Sequence, residues 1–261
     1  MSRFKITLEY EGTRYSGWQI QKNARTIQGE LHAAFCTVFG TADVALYGSG
    51  RTDAGVHALA QVAHLDVRTM LAPEIIRMKT NDKLPPDINL IEVEKADPTF
   101  HARHSAEARS YLYQISRRRT AIGKRYVWWV KDKLDVTAMR SAASSFRGMN
   151  DFRSFSDDDP EEKSTKAFIE DVLIETKGDL ILVRIVGSHF LWKLVRRMVG
   201  VLAAAGCGTL PPEDVRSLLL AQSPLPPQLT APPSGLFLER VYYPGDVRLS
   251  SLKPVLTISH D

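Results

Sequence analysis

The stretch Gly48-Ser49-Gly50-Arg51-Thr52-Asp53-Ala54-Gly55-Val56-His57-Ala58 sets a guanidinium and a carboxylate two residues apart among three glycines. In an extended backbone, side chains at i and i+2 project to one side, so Arg51 can keep Asp53 ionised or clamp a phosphate. An ionised carboxylate on a shaped loop is equipped to act as a nucleophile. Glycine at 48, 50 and 55 lets the backbone take positive φ and lets another chain approach closely. Taken alone, the same residues also read as a polar turn in which Asp53 caps its own backbone.

The flanking pattern says what must position this loop. Phe4, Ile6, Leu8 and Tyr10 alternate with polar residues and predict a half-buried strand ended by Glu11-Gly12-Thr13. Ile27, Leu31, Ala34, Phe35 and Val38 recur at helical spacing behind Thr26 as N-cap, with Gly40 as the stop. A short strand from Val44 to Tyr47 runs into the glycine loop, and the alternation of Ala63, Leu65 and Val67 predicts a strand after it. Pro73 opens a short helix through about Lys79, and Ile88 to Glu94 returns as a strand. The pattern restarts at Arg109, with Tyr111, Tyr113 and Ile115 on one strand face. Asp135 then caps a helix through Phe146, and strands from Ile169 to Thr176 and Leu180 to Val186 flank a three-residue hairpin connection at 177–179. A helix from Gly187 to Gly206, a short helix from Pro212 to Leu219, a proline-rich linker and a strand from Leu236 to Tyr243 complete the order. Strands and helices thus fall into two similar halves, predicting an α+β protein whose subdomains, residues 1–105 and 106–246, share a cleft, with a peripheral tail at 247–261.

The charge is unevenly placed. Overall, 34 Lys and Arg against 30 Asp and Glu leave +4 and a pI near 9.0, which permits a nucleic-acid partner without requiring one. Arg117, Arg118, Arg119, Lys124, Arg125 and Lys131 are interleaved with Tyr126, Trp128 and Trp129, a mixture suited to phosphates and exposed bases. On the late helix Lys193, Arg196 and Arg197 stand at i, i+3 and i+4, a like-charge stripe that costs a few tenths of a kcal/mol per pair, about the size measured on isolated helices, unless an anion relieves it. The run Asp157-Asp158-Asp159-Pro160-Glu161-Glu162 reads as a solvated loop away from any phosphate path.

Several chemistries find no support. Gly48-x-Gly50 is not followed by a glycine three residues on, and no Gly-Lys-Ser/Thr occurs, so dinucleotide and P-loop readings are weak. His101 and His104 stand in a basic run without neighbouring carboxylates, which favours structural or phosphate-facing histidines over a metal site. Cys36 and Cys207 are far apart in apolar settings, so neither a disulfide framework nor a multi-cysteine zinc site is indicated, and a reducing cytoplasm fits. No metal and no cofactor are expected. The N-terminus enters strand-like alternation directly, and no apolar run reaches the eighteen or so residues of a membrane span.

The order of motifs resembles the bacterial tRNA pseudouridine synthase A family nearly end to end. It is carried by Tyr10-Glu11-Gly12-Thr13, Gly17-Trp18-Gln19, Thr26-Ile27-Gln28-Gly29-Glu30-Leu31 and the signature loop Gly50 to Ala58. After these come Leu84-Pro85-x-Asp87-Ile88, Phe100-x-Ala102-Arg103, Arg109-x-Tyr111-x-Tyr113, Phe152-x-x-Phe155, Phe190-Leu191 with Val195-Arg196, and Ala231-Pro232-x-x-Gly235-Leu236. The resemblance implies the pseudouridine synthase fold: two ferredoxin-like halves sharing a long mixed, mostly antiparallel sheet, with the active-site cleft between them. It implies isomerisation of uridine at positions 38, 39 and 40 of the tRNA anticodon stem-loop, by a cytoplasmic homodimer. Asp53 is then the catalytic nucleophile or base, by attack at C1′, attack at the base or removal of a sugar proton. Arg51 pairs with Asp53 and helps fill the space of the extruded nucleotide, Tyr111 stacks on the uracil and assists loss of the C5 proton, and Leu236 lines the same pocket. Arg196 matches the family pattern. Lys193 and Arg197 depart from it, as cations added to a helix expected to contact tRNA. The rival from another class is a non-catalytic tRNA-binding or RNA chaperone protein.

Overall fold

The computed structural model describes residues 1–257, so the last four residues of the expected tail lie outside the described residues. The chain divides into two compact units, one from Met1–Glu107 with Phe237–Val247 and one from Ala108–Leu236 with the residues from Arg248 onward. The last long strand from Phe237 on therefore belongs with the first unit, whereas linear order groups it with the second half.

In the first unit β1 (Ser2–Tyr10), β2 (Ala45–Gly48), β3 (His57–Val67), β4 (Ile88–Lys95) and β10 (Leu236–Tyr242) form the sheet. Antiparallel pairing runs β4 to β1 to β3, while β3 takes β2 antiparallel opposite Ala63 to Asp66 and β10 parallel opposite His57 and Ala58. The glycine loop thus starts where β2 stops and ends where β3 begins. β3 starts at His57, earlier than the alternation of apolar residues indicated, because Ala58 pairs with Tyr10 of β1. Helix α1 (Ile27–Phe39) is capped by the Thr26 hydroxyl, which accepts from Gly29 N, a contact worth about 1 kcal/mol, and it ends at Gly40 with φ 66°. Helix α2 (Pro73–Asn81) packs on β4.

In the second unit β5 (Ala108–Ser116), β7 (Gly148–Asp151), β8 (Lys166–Lys177) and β9 (Leu180–Gly187) pair antiparallel in the order β5-β9-β8-β7, and β6 (Trp128–Trp129) adds to β5 in parallel. The β8–β9 turn needs only Gly178 and Asp179, since Lys177 already pairs with Leu180 and Gly178 supplies φ 56°. Both β5 and β9 are buried along their whole length, so Tyr111, Tyr113 and Ile115 are covered no more than their neighbours on the other face. Helix α3 (Val136–Ser144) begins at Asp135, whose carboxylate accepts from Thr137 N and Ala138 N. Helix α4 (Leu194–Gly206) starts seven residues later than the apolar spacing implied, because Lys193 takes a left-handed φ of 64° and breaks the preceding turn. Residues 248–257 are not peripheral: the buried Arg184 donates to Leu249 O and Ser251 O, Arg248 pairs with Glu170, and Leu252 is buried.

The segment before residue 107 is held to the first sheet by charge and rings. Arg3 grips Asp66 through two hydrogen bonds of 2.7 and 2.6 Å and donates to Pro98 O and Phe100 O. His64 lies beneath, stacked on Tyr47 at 5.0 Å, and its Nδ1 accepts from Ala102 N. His101 Nδ1 accepts from Arg103 N and His104 N, a turn-forming role. Burial, then the nearby Arg3 and His101 charges, push the His64 pKa down to about 4, against a smaller opposite pull from Asp66. Because the folded value lies below the unfolded one near 6.5, the neutral ring stabilises the fold above about pH 6.5, and that contribution is lost as pH falls toward 4. Between pH 7 and pH 4.5 urea denaturation of the wild type loses about 2 kcal/mol that His64→Gln, which cannot titrate, does not lose; equal losses in both proteins would remove His64 as the cause.

Candidate active site

The loop that carries Asp53 is built from the main chain of residues 10–18 and from one buried glutamine. Trp18 N donates to Thr52 O at 3.1 Å and Gly55 N to Tyr15 O at 3.3 Å, so the segment after β1 runs as a strap along the loop. The Tyr10 and Thr52 hydroxyls share a buried 2.8 Å hydrogen bond, and Gly12 N donates to His57 Nδ1 at 3.0 Å. Gln61 is fully buried; its Oε1 accepts from the Ser49 hydroxyl and Val62 N, and its Nε2 donates to Gly50 O at 3.0 Å. Ser49 N donates to Val62 O, and Val56 N closes a turn on Asp53 O.

The three loop glycines differ in what they contribute. Of the three in the loop only Gly55 has positive φ, at 78°. Gly48 leaves room for the Trp18 indole, whose ring carbons lie 2.6 Å from where a Cβ would stand, so the close neighbour there is the protein's own tryptophan. Gly50 faces open space. The tightest approaches are in the strap, where a Cβ at Gly12 would meet Val56 O at 1.9 Å and one at Gly17, with φ 87°, would meet Thr52 O at 2.5 Å.

Asp53 is half-buried and Arg51 is exposed. Among the described residues Arg51 makes no ion pair, and Thr52, between it and Asp53, is turned inward to Tyr10. Asp53 and Arg51 belong to the first unit, whereas Tyr111, Leu236, Lys193, Arg196 and Arg197 belong to the second. Tyr111 is buried on β5 with its ring edge-on to Phe190 at 4.9 Å, and Leu236 is buried at the start of β10. Arg196 donates from Nε to Ala231 O at 2.7 Å.

The acidic run is not a free solvated loop. Asp157 bridges Lys193 Nζ, at 2.6 Å, and the guanidinium of Arg197, and Asp158 accepts from Trp192 N at 2.9 Å. The anion that relieves the like-charge stripe therefore comes from this chain. Burial raises the Asp157 pKa, but the hydrogen bonds from Lys193 and Arg197 outweigh it and hold the carboxyl below its ordinary value.

Comparison with known proteins decides the family. A family model described as tRNA pseudouridine synthase matches residues 6–105 and 142–244. The chain belongs to the tRNA pseudouridine synthase family. It is 39% identical to the tRNA pseudouridine synthase A of Nitrobacter winogradskyi, covering 95% of this chain and 98% of that one. The proteins of the same name from Nitrobacter hamburgensis, 40% identical over 93% of this chain and 100% of that one, and Maridesulfovibrio salexigens, 38% over 93% and 91%, are similar in extent. A solved structure of a Cbf5-Nop10-Gar1 complex aligns with a TM-score of 0.34 at 9% identity, over 76% of this chain and 53% of that chain, and carries no weight in the assignment. Membership gives the reaction class, an isomerisation of uridine to pseudouridine in tRNA.

In this synthase the residues that hold the loop were largely hidden from sequence reasoning. Gly12 reads from the pattern only as part of a strand stop, and Gly17 is marked only by the family resemblance. Gln61 left one usable signal, since it shares a face of β3 with Ala63, Leu65 and Val67, where an amide among apolar residues needs buried partners. Gln61→Leu keeps the volume but leaves the Ser49 hydroxyl and Gly50 carbonyl unmatched. It is expected to cost about 1–3 kcal/mol in chemical denaturation and to lower kcat about tenfold with tRNA affinity within about twofold, as for loss of positioning alone; wild-type kcat in the folded variant would show that the loop does not depend on it.

Proposed function

We propose that this synthase acts on uridines 38, 39 and 40 in the anticodon stem-loop of tRNA, with Asp53 as the nucleophile or base. In the reaction the N1–C1′ bond breaks, the uracil turns while held, C5 bonds to C1′, the C5 proton leaves and N1 takes one up. Nothing is oxidised or reduced. The observation that carries the reading is the half-buried carboxylate of Asp53 on a main chain fixed at Ser49, Gly50, Thr52 and Val56, in a chain of this family. A fixed carboxylate loses little entropy on reaching its target, which is where catalysis by positioning gains most.

A uridine inside a stem must be unstacked and rotated out before its glycosidic bond can be reached. The exposed Arg51 guanidinium is suited to fill the vacated space, Tyr111 to stack on the uracil, and Leu236 to keep water from the reactive intermediates. The rest of the tRNA is read by charge. Around the tract 117–131, Arg119 lies over Trp129 at 6.0 Å beside Lys124, a basic and aromatic surface suited to an RNA strand. Lys193, Arg196 and Arg197 are assigned to the same substrate, the enzyme to a homodimer, and its place of action to the cytoplasm. No helix among the described residues is long and apolar enough to cross a membrane.

Unmodified tRNA with uridine at 38 to 40, incubated with wild type and with Asp53→Asn, tests the assignment by mapping pseudouridine. Wild type is expected to place it at those positions, and Asp53→Asn to slow turnover at least about a thousandfold while still binding tRNA. Equal product from both would contradict the role of Asp53; no product from either, with binding retained, would favour a non-catalytic tRNA-binding protein.

A further inference from the structure

The contact between the acidic run and the start of α4 has features that a purely structural ion pair does not need. Asp157 offers two oxygens and both are used, Oδ2 by Lys193 Nζ and Oδ1 by Arg197 Nη2. Arg197 is 97% buried, yet its Nε and Nη1 find no acceptor among the described residues. A guanidinium normally presents its donors as a fork to two oxygens, and burying unmatched donors is costly. Here the fork is met at one tine, and two cations face one carboxylate.

Lys193 adds a second sign of a site held under strain. It is the one non-glycine residue with positive φ among those described, a conformation that costs about 1–2 kcal/mol, and it brings the ammonium to Asp157. The ammonium also lies 5.0 Å over the ring of the half-exposed Trp192. On the other side of the contact the loop meets the segment before α4 through few groups: Asp157 N donates to Trp192 O at 3.4 Å, Asp158 accepts from Trp192 N, and Asp159 to Lys163 are exposed and bond within the loop.

We propose that Asp157 is an internal occupant of a phosphate seat formed by Lys193 and Arg197, and that a backbone phosphate of the RNA substrate takes its place as the 157–163 loop moves aside. The inference rests on the tRNA reading above and deepens it. A phosphodiester shares one negative charge over two non-bridging oxygens and has two ester oxygens beside them, so it offers the Arg197 fork and the Lys193 ammonium more acceptor positions than the Asp157 carboxylate, which spends one oxygen on each. The exchange also removes Asp158, Asp159, Glu161 and Glu162 from the path of a polyanion. The acidic run then acts as a filter: a weak anion leaves it closed, and a phosphate held by further contacts elsewhere on the RNA opens it.

The test is tRNA affinity from about 50 to about 200 mM salt for wild type, Asp157→Asn and the triple variant Asp159→Asn/Glu161→Gln/Glu162→Gln. Asp157→Asn is expected to bind about three- to tenfold more tightly at the lower salt, with a log affinity against log salt slope steeper by about one, and the triple variant to keep the wild-type slope. Amide hydrogen exchange on the wild type gives a readout that does not depend on any variant folding: with tRNA bound, the amides of Asp157 and Trp192, which bond across the contact, are expected to lose protection. Unchanged slope and unchanged or raised protection, in a protein that binds tRNA, would overturn the exchange and leave the tRNA reading standing; a slope change of equal size in the triple variant would reduce it to general repulsion. Absence of tRNA binding by the wild type would overturn both.

Discussion

Two stretches of main chain lie against each other without side chains between them, and the candidate chemistry depends on that contact. Val56 O occupies the space of a Cβ at residue 12, and Thr52 O that of a Cβ at residue 17. Any other residue at either position would push the strap off the loop, and at Gly17 would also be strained by φ 87°. With the strap in place, Trp18 closes against Gly48, Tyr10 reaches Thr52, and Gln61 satisfies the loop from within the sheet. Each hydrogen bond contributes only about 1 kcal/mol net, but together they leave Asp53 few alternative positions. The loop has the character of a rigid bracket made of buried amides and hydroxyls, with its charged groups at the rim.

Charge in the second unit is arranged on a different principle. Arg184 sits fully buried and spends its donors on carbonyls of residues 249 and 251, a fixed structural use. Lys193 and Arg197 instead share one carboxylate that comes from an otherwise exposed loop. A buried cation with neutral carbonyl partners has nothing to exchange; one held by a flexible anion does. The difference separates cations that build this synthase from cations that are available to its substrate.

Much of the fold was legible because local signals and tertiary structure agree. Thr26 and Asp135 cap the helices that follow them, Gly40 stops the first helix, and the alternation of Phe4, Ile6, Leu8 and Tyr10 marks a strand whose apolar side is buried. Asp53 and Arg51 were legible as reactive groups because their types and spacing announce chemistry. What could not be read depends on long-range pairing. Nothing local to Lys193 foretells a left-handed backbone; apolar spacing continues through it, and the bonds made at this turn by Asp157 and Asp158, about 35 residues earlier in the chain, are invisible to local pattern. The acidic run looked solvated because sequence shows its charge and not the cations that face it. The last strand joined the wrong half for a similar reason: linear order places Phe237 after the second unit, while its ring stacks on His57 of the first at 4.8 Å.

The central claim is that the Asp53 loop is held in shape by the protein before any RNA arrives. Amide hydrogen exchange of the free enzyme at Trp18, Ser49 and Val56, whose N–H groups bond to Thr52, Val62 and Asp53, measures this directly. The account predicts protection close to that of the β1–β3 ladder, unchanged when tRNA is added. Rapid exchange at these amides in the free enzyme, with protection gained only on tRNA binding, would contradict it and make the loop a product of the substrate.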